Sequence, residues 1–569
     1  MRARRILRRA TAVLALAVLA LAAAVNPAAA AGDDDSYWFQ LLAKAQADEC
    51  FNGIGLPYPA GPPCAEGQPK VNQAYVWGLT RIGSHVWFGT GAQPNCLTSG
   101  ATLDVLKPTV NDNYVCEYGE SQTVKNDPTW PAEIGDQRPP EVWLYDARTQ
   151  RSVNKSREIS ARSAADAERL RTTIGLRAAG NLDGVVLLGG PALNDSMNLF
   201  AFDNRTRRFL GSATLTAYGN IRTFLQAEGG LYLGVGVGTN GISGGAVLRW
   251  TGSRRAPFTF DQVATLPVQA ADLTYHDGRI ATTSWPAEQP TTVDRLAGVW
   301  ISPVLADGAP GLTTEDATGW KQVWHARLYE TDRVVAATYG GGGVASFGGY
   351  LYWGTMHVPM KATKVHQSVY PQTTDEAKVN QVVNTQRGIS IWRGKDLGLP
   401  TQQIDLLYGE TELPTYDPAT ATWSKVSTGR TPLYGKSGFG YPFNNYTWRM
   451  AVAGGRLYVG TMDWSYIAQD LLAQGSGFTT ADRSGVGASA IDPAAFGGDL
   501  WMFPSASEPA QQVSITGLGN YLNYGIRNMV PDGDDLYVGM ANPMNLRTDP
   551  TDDVPEGGWE LIKLTAPSS

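Results

Sequence analysis

Gly-Gly-Arg-Leu-Tyr-Val-Gly-Thr, residues Gly454–Thr461, reads as a tight turn feeding an alternating aromatic/aliphatic strand. The phrase returns as Gly348–Thr355 (Gly-Gly-Tyr-Leu-Tyr-Trp-Gly-Thr), Gly229–Gly234 and Asp534–Gly539. Looser copies lie at Gly83–Thr90, Asp183–Gly189 and Asp277–Thr283. A unit repeated along the whole chain signals a repeat architecture rather than a string of unlike domains.

Each copy is answered by a second period-2 run. In chain order these are Glu141–Asp146, Asn198–Asp203, Ala246–Trp250, Gly298–Ser302, Ile389–Arg393, Asp499–Phe503 and Trp559–Lys563. Seven turn-strand phrases alternate with seven partner strands, and Ser163–Arg171 is the one convincing helix. With an inner strand before and an outer strand after, each unit makes a four-stranded blade, and closing the ring hides the strand edges. The expected fold is therefore all-β: a seven-bladed β-propeller with four-stranded blades and long loop insertions. Two stacked β domains and an eight-bladed ring are the competing architectures.

Repeats average about 77 residues against the ~40–50 of compact propeller repeats. The surplus falls in Gly91–Pro140, Leu305–Ala326, Val358–Arg387, Gly394–Gly440 and Ile467–Gly498. Long loops on a rigid scaffold are frequent carriers of function. The chain ends on a third-strand phrase, so Tyr37–Asn72 is expected to supply the missing outer strand. The division is then residues 1–31 as signal peptide, 32–72 as an N-terminal ring-closing segment, and 73–569 as the propeller.

The signal reading rests on Arg2, Arg4, Arg5, Arg8 and Arg9, the apolar run Thr11–Val25, and small residues Ala28–Ala31 before Gly32. Arg8-Arg9 admits twin-arginine export, but the residues after the pair favour the general route. No later segment is apolar enough to span a bilayer, so a secreted, extracellular protein is expected. A net charge of −7 and a pI near 5.4 argue against a general nucleic-acid or membrane-surface binder. With 64 Gly, 17 Trp and 24 Tyr, the composition suits tight turns and aromatic strands. Cys50, Cys64, Cys96 and Cys116 are an even set in an exported chain, which favours disulfides over metal ligands. Cys50–Cys64 with Cys96–Cys116 is the preferred pairing because each closes a short loop; free buried thiols are the alternative.

The LYVGT strand followed by an IWR or LWMF strand resembles secreted bacterial β-propellers with "LYxGT…xIWR" repeats. The resemblance covers nearly all of the chain after residue 31. It implies a fold and no particular chemistry, since propellers serve as lyases, hydrolases, lectins and docking platforms.

Two registers point at candidate residues. Entering the first strand, arginine follows an aromatic in Tyr218–Arg222, Tyr446–Arg449 and Tyr524–Arg527, and Arg177 holds a similar place. Guanidinium groups gathered near one axis would bind carboxylate, sulfate or phosphate in bidentate fashion, or else tie neighbouring blades together. Leaving the second strand, the third residue beyond the recurrent glycine reads Ala92, Ala192, Val237, Pro286, His357, Asp463 and Asn542. The first four are inert; the last three are chemically capable.

His357 and Asp463 are thus acid/base candidates, with Tyr446 or Tyr524 as a second proton carrier. Arg177, Arg222, Arg449 and Arg527 would neutralise an anionic group, as proton abstraction beside a uronate requires. A glycosidase would need a second carboxylate, for which Asp272, Glu410 and Asp417 are available. Trp285 and Trp464 could stack on sugar faces, or simply pack between blades. The five histidines show no metal-ligand spacing, and no metal or cofactor is expected, with calcium on backbone carbonyls left open. Gly340–Gly343 lacks the partners of a phosphate loop and reads as a tight or mobile turn. The leading function is a secreted, monomeric propeller binding a carbohydrate or other anionic polymer at its channel mouth, as a polysaccharide lyase or glycoside hydrolase if catalytic. The alternative is a non-catalytic extracellular glycan- or protein-binding platform.

Overall fold

The computed structural model describes residues 37–53, 64–103, 107–110, 113–305, 311–469 and 491–567. The expected signal segment, residues 1–31, lies outside them, as does much of the Ile467–Gly498 insertion.

The chain is all-β, with antiparallel ladders and few helices. The recurrent turns work through paired positive-φ residues: Gly454 and Gly455 at +55° and +70°, Gly348 and Gly349 at +57° and +80°, Asp183 and Gly184 at +50° and +76°. That backbone matches the right-handed twist of a two-residue hairpin, which explains the repeated Gly-Gly and Asp-Gly. The following strand is enclosed on both faces; Leu457, Tyr458 and Val459 are all fully buried.

Among the described residues, seven four-strand antiparallel meanders follow one another. The first pairs Tyr75–Ile82, His85–Gly91, Val142–Asp146 and Arg151–Asn154. The second runs from Ala178–Leu182 to Arg208–Leu215, the third from Asn220–Ala227 to Phe260–Leu266, and the fourth from Gln269–His276 to Lys321–His325. The fifth runs from Gly340–Phe347 to Gln403–Tyr408 and the sixth from Asn444–Ala453 to Gln511–Ser514. The seventh comprises Gly525–Asp532, Asp535–Ala541, Glu560–Thr565 and, from the other end of the chain, Trp38–Lys44. First strands of successive meanders touch side by side, and Gly525–Asp532 also touches Tyr75–Ile82. Apolar cores fill the spaces between neighbouring sheets, as where Leu187 and Leu199 meet Ile221 and Leu233.

Both disulfides, Cys50–Cys64 and Cys96–Cys116, are present. The insertions carry their own elements: helix Pro94–Leu103, helices Lys361–Val369 and Asp375–Thr385, and hairpin Glu412–Asp417/Thr422–Ser427. The helix expected at Ser163–Arg171 spans Ala164–Thr172, with Ser163 as its N-cap.

Gly340–Gly343 is not a turn. It opens the strand Gly340–Phe347 and is buried. A Cβ on Gly340 would lie 2.7 Å from the Trp285 ring, and one on Gly343 would lie 2.7 Å from the Met450 nitrogen. The run is glycine because an indole and a neighbouring first strand press against it. Trp77 is seated the same way between Gly91 and Gly175. A Cβ on Gly175 would stand 2.2 Å from its ring. Gly175→Ala is expected to cost about 1–3 kcal/mol through overpacking, read as a lower denaturant midpoint at unchanged slope.

Candidate anion site in the channel

One irregularity in the first strands positions the site. The ladder register shifts by one residue at Trp77, Arg222, Trp448 and Arg527, and across Ala271-Asp272 and Gly342-Gly343 in meanders four and five. A bulge turns one extra side chain away from the regular pleat. Arg177 immediately precedes the equivalent point in meander two. Arg177, Arg222 and Arg527 therefore share a level with Trp77 and Trp448. Arg449 does not belong to that set. It stands one residue later, opposite Gly460, level with Thr223 opposite Gly234 and Asn528 opposite Gly539. The aromatic-then-arginine phrases look alike in sequence, but the bulge falls on Trp448 and so moves Arg449 down one layer.

The two layers meet across the channel. Arg449 pairs with Asp272 and donates to Thr223 Oγ1 at 3.3 Å. Arg222 lies 3.9 Å over the Trp285 ring and donates to Gln269 Oε1 at 3.2 Å. Arg177 sits 5.3 Å over Trp77, and Arg527 sits 5.8 Å over Trp448. Three cations thus rest on indole faces, an attraction of about 0.5–2 kcal/mol each. Lys361, at the start of the helix Lys361–Val369, approaches the same Trp285 ring at 5.7 Å. The Nε atoms of Arg177, Arg449 and Arg527 are buried without a hydrogen-bond partner.

These cations repel one another. Burial, then Arg177 and Arg527, push the Arg222 guanidinium well below its usual range. Burial, with Arg177 and Arg449, lowers Arg527 to about 9, against which Asp272 acts. Burial lowers Arg177 to about 10, and burial plus Arg222 lowers Lys361 to about 8. Arg177, Arg222 and Arg449 line a cavity of about 220 Å³ together with Thr80, Asn181, Gln226 and Pro531.

The sequence candidates divide. Tyr446 joins the arginines: its hydroxyl is raised by burial and lowered by Arg222 and Arg177. Tyr524 packs near Trp448 and Tyr75, at 5.8 and 6.0 Å. Trp285 holds Arg222 and donates to the Gly341 carbonyl at 2.9 Å. The other four are spent on the fold. His357 lies edge-on to Tyr339 at 4.4 Å, with Nε2 2.9 Å from the Thr355 hydroxyl. Asp463 is 1 % exposed and accepts from the Ser465 amide and hydroxyl at 2.8 and 2.6 Å. Asn542 is fully buried, bonding the Glu556 carbonyl and the Met544 amide. Trp464 is buried against Phe443 rather than presented to a sugar. The register put His357, Asp463 and Asn542 at one end of the channel, but Met360, Val382, Ile467, Tyr118 and their neighbours cover that end with an apolar layer.

Of the spare carboxylates, Asp272 is in the site. Glu410 instead caps Ser437, and Asp417 holds an exposed turn. Lys361, Trp77 and Trp448 were missed. The two tryptophans could have been found by aligning each first strand to its bulge; Lys361 comes from an insertion and has no repeat register. Among the described residues no group of three or more His, Cys, Asp and Glu is arranged to hold a metal ion, and no helix is long and apolar enough to cross a membrane.

Burial, with Arg387, lowers His357 to about 3 against an unfolded value of 6.5. As pH falls from 6.5 toward 3 the unfolded state gains a proton that the fold refuses. His357 should therefore cost up to about 1.4 kcal/mol of stability per pH unit in that window. His357→Gln should flatten this acid loss, measured as denaturant midpoints at neutral and mildly acidic pH. Equal acid loss in both proteins would remove the argument. Asp463, raised by burial, titrates with the opposite sign and is common to both.

No family model matches the chain, and no curated protein matches it. Solved structures do. Polysaccharide lyase Uly1 is 8 % identical, covering 90 % of this chain and 93 % of its own, with a TM-score of 0.38. The β-propeller domain of the Trilobed protease from Pyrococcus furiosus is 8 % identical over 79 % and 98 %, with a TM-score of 0.29. Exo-β-1,3-galactanase from Phanerochaete chrysosporium is 8 % identical over 69 % and 77 %, also at 0.29. At such scores the likenesses carry no argument about chemistry.

Proposed function

We propose that the chain is an extracellular seven-bladed β-propeller that binds an acidic carbohydrate through the arginines of its central channel. The seven meanders, their first strands side by side, and the sheet shared by both chain ends support the ring. The two disulfides and the signal-like residues 1–31 support the location. A ring closed by the two ends of one chain would need no second copy, which supports a monomer. The observation that carries the functional reading is the gathering of Arg177, Arg222, Arg449 and Arg527, with Asp272, paired to Arg449, the one carboxylate that the described residues place among them. A cluster with so much uncompensated charge in a low-dielectric channel favours an anionic ligand, and the planar guanidinium suits a carboxylate.

The reading is tested by thermal melts and calorimetry with matched acidic and neutral sugars. Acids are expected to stabilise the protein, by about 2.7 kcal/mol at a hundredfold excess over Kd, and the response should weaken with salt. A panel of carboxylated, sulfated and phosphorylated sugars that leaves the melt unmoved would sink it.

A catalytic version is favoured by Lys361 and Tyr446 rather than by His357 and Asp463. Lys361 titrates near neutrality beside Arg222, and Tyr446 lies among the arginines. Such a lyase would use Lys361 as base, with the Tyr446 ring packed behind the arginines against Trp448. Ultraviolet-absorbing unsaturated products should then appear from a polyuronate and vanish in Lys361→Met.

A further inference from the structure

We infer that the channel takes its ligand end-on, as a single acidic sugar unit entering where the first strands finish, and not as an internal stretch of a threaded polymer. The inference rests on the anion-binding reading above. Thr80, Asn181 and Gln226 stand near the ends of Tyr75–Ile82, Ala178–Leu182 and Asn220–Ala227, and they line the same cavity as Arg177, Arg222 and Arg449, with Gln226 exposed to solvent.

Behind the arginines the channel is filled. Tyr75 meets Trp77 at 6.2 Å and Trp448 at 5.7 Å, both edge to face, and Tyr446 meets Trp448 at 5.5 Å. Beyond these rings comes the apolar layer that includes Cys96, Met360 and Ile467 from three insertions. A threaded chain needs two open ends, and the described residues leave one.

Size and chemistry agree with a single unit. At about 220 Å³ the cavity is smaller than the about 300–1,000 Å³ typical of drug-sized ligands. The Thr80 hydroxyl and the Asn181 and Gln226 amides bond one another and keep further hydrogen-bonding capacity for sugar hydroxyls, while the arginines supply guanidinium groups suited to one carboxylate. Arg527 is 7 % exposed, and its Nε, like those of Arg177 and Arg449, is a donor without a partner among the described residues. A carboxylate at the arginines would take up such donors; a neutral sugar would leave them bare.

The experiment titrates the full chain with glucuronate, with its methyl ester, and with oligouronates of increasing length, by calorimetry. The monomer is expected to bind, the ester to bind at least tenfold more weakly, and affinity counted per chain end to stay within about threefold across the series. Gln226→Trp, at an exposed position lining the cavity, should weaken binding at least tenfold without lowering the melting temperature, whereas Gln226→Ala, which removes one amide and blocks nothing, should weaken it by less than that. Affinity that climbs with length, polyuronate with blocked termini binding as well as free ends, or native affinity in Gln226→Trp would each overturn end-on binding. The two ideas fail separately. If no acid binds, or Arg222→Gln binds as the native protein does, the anion site itself is refuted. If binding depends on Arg222 yet grows with length, only the end-on geometry is refuted.

Discussion

Arg222→Gln is expected to lower affinity for an acidic sugar by about ten- to a hundredfold, the loss of one charged hydrogen-bonding partner worth about 1.5–3 kcal/mol. The fold should survive, because Arg222 makes one side-chain hydrogen bond, to Gln269, and otherwise lies on Trp285. Unliganded stability should not fall, since glutamine removes a cation that Arg177 and Arg527 repel. Arg527→Gln is expected to weaken binding at neutral pH as well, because Arg527 stays charged while burial and its neighbours Arg177 and Arg449 disfavour that charge. Affinity in Arg222→Gln equal to the native value would show that these arginines bond the scaffold and not a ligand.

Asp272→Asn is expected to destabilise the unliganded protein by about 3–5 kcal/mol, as when one member of a buried ion pair is removed. Asp272 does two jobs at once. It accepts from the Arg449 guanidinium, and from the Leu273 and Val344 amides at 3.2 and 3.3 Å, which joins meander four to meander five. Without its charge, the described residues leave Arg449 and the arginines above it no carboxylate. An acidic ligand should then recover more stability in the variant than in the native protein, and Asp272→Asn/Arg449→Gln should regain a good part of the loss. Equal stability of native and Asp272→Asn without ligand would contradict the picture of an overcharged channel. So would an additive double variant.

How far the site was legible depended on which signal carried each residue. Arg177, Arg222 and Arg527 could be found because they stand where the chain enters the recurring first strand. Arg449 was found through the same phrase, but its separate layer was not legible, because a bulge shifts register by one without any mark in the sequence. His357, Asp463 and Asn542 are in register with one another, as their strands require. Their side chains nevertheless turn into local hydrogen bonds, to Thr355, Ser465 and the Glu556 carbonyl. A short polar residue after a strand bonds its own neighbours as readily as it faces a channel. Gly340–Gly343 was misread because its glycines answer to Trp285 and to strand Asn444–Ala453, neither near in sequence.

The sequence by itself determined the repeat: paired positive-φ turns and strands of period 2, each set locally by backbone sterics and pleat, in seven alternations. It also determined that arginines would gather near the ends of several such strands. Only the tertiary structure decided that Trp77, Trp285 and Trp448 carry the cations, that Asp272 balances them, that Lys361 arrives from an insertion, and that aromatic and insertion residues close the end of the channel where the polar trio was expected. Those outcomes depend on side chains brought together from different sheets and loops, and their energies come from burial and mutual repulsion that no local pattern encodes.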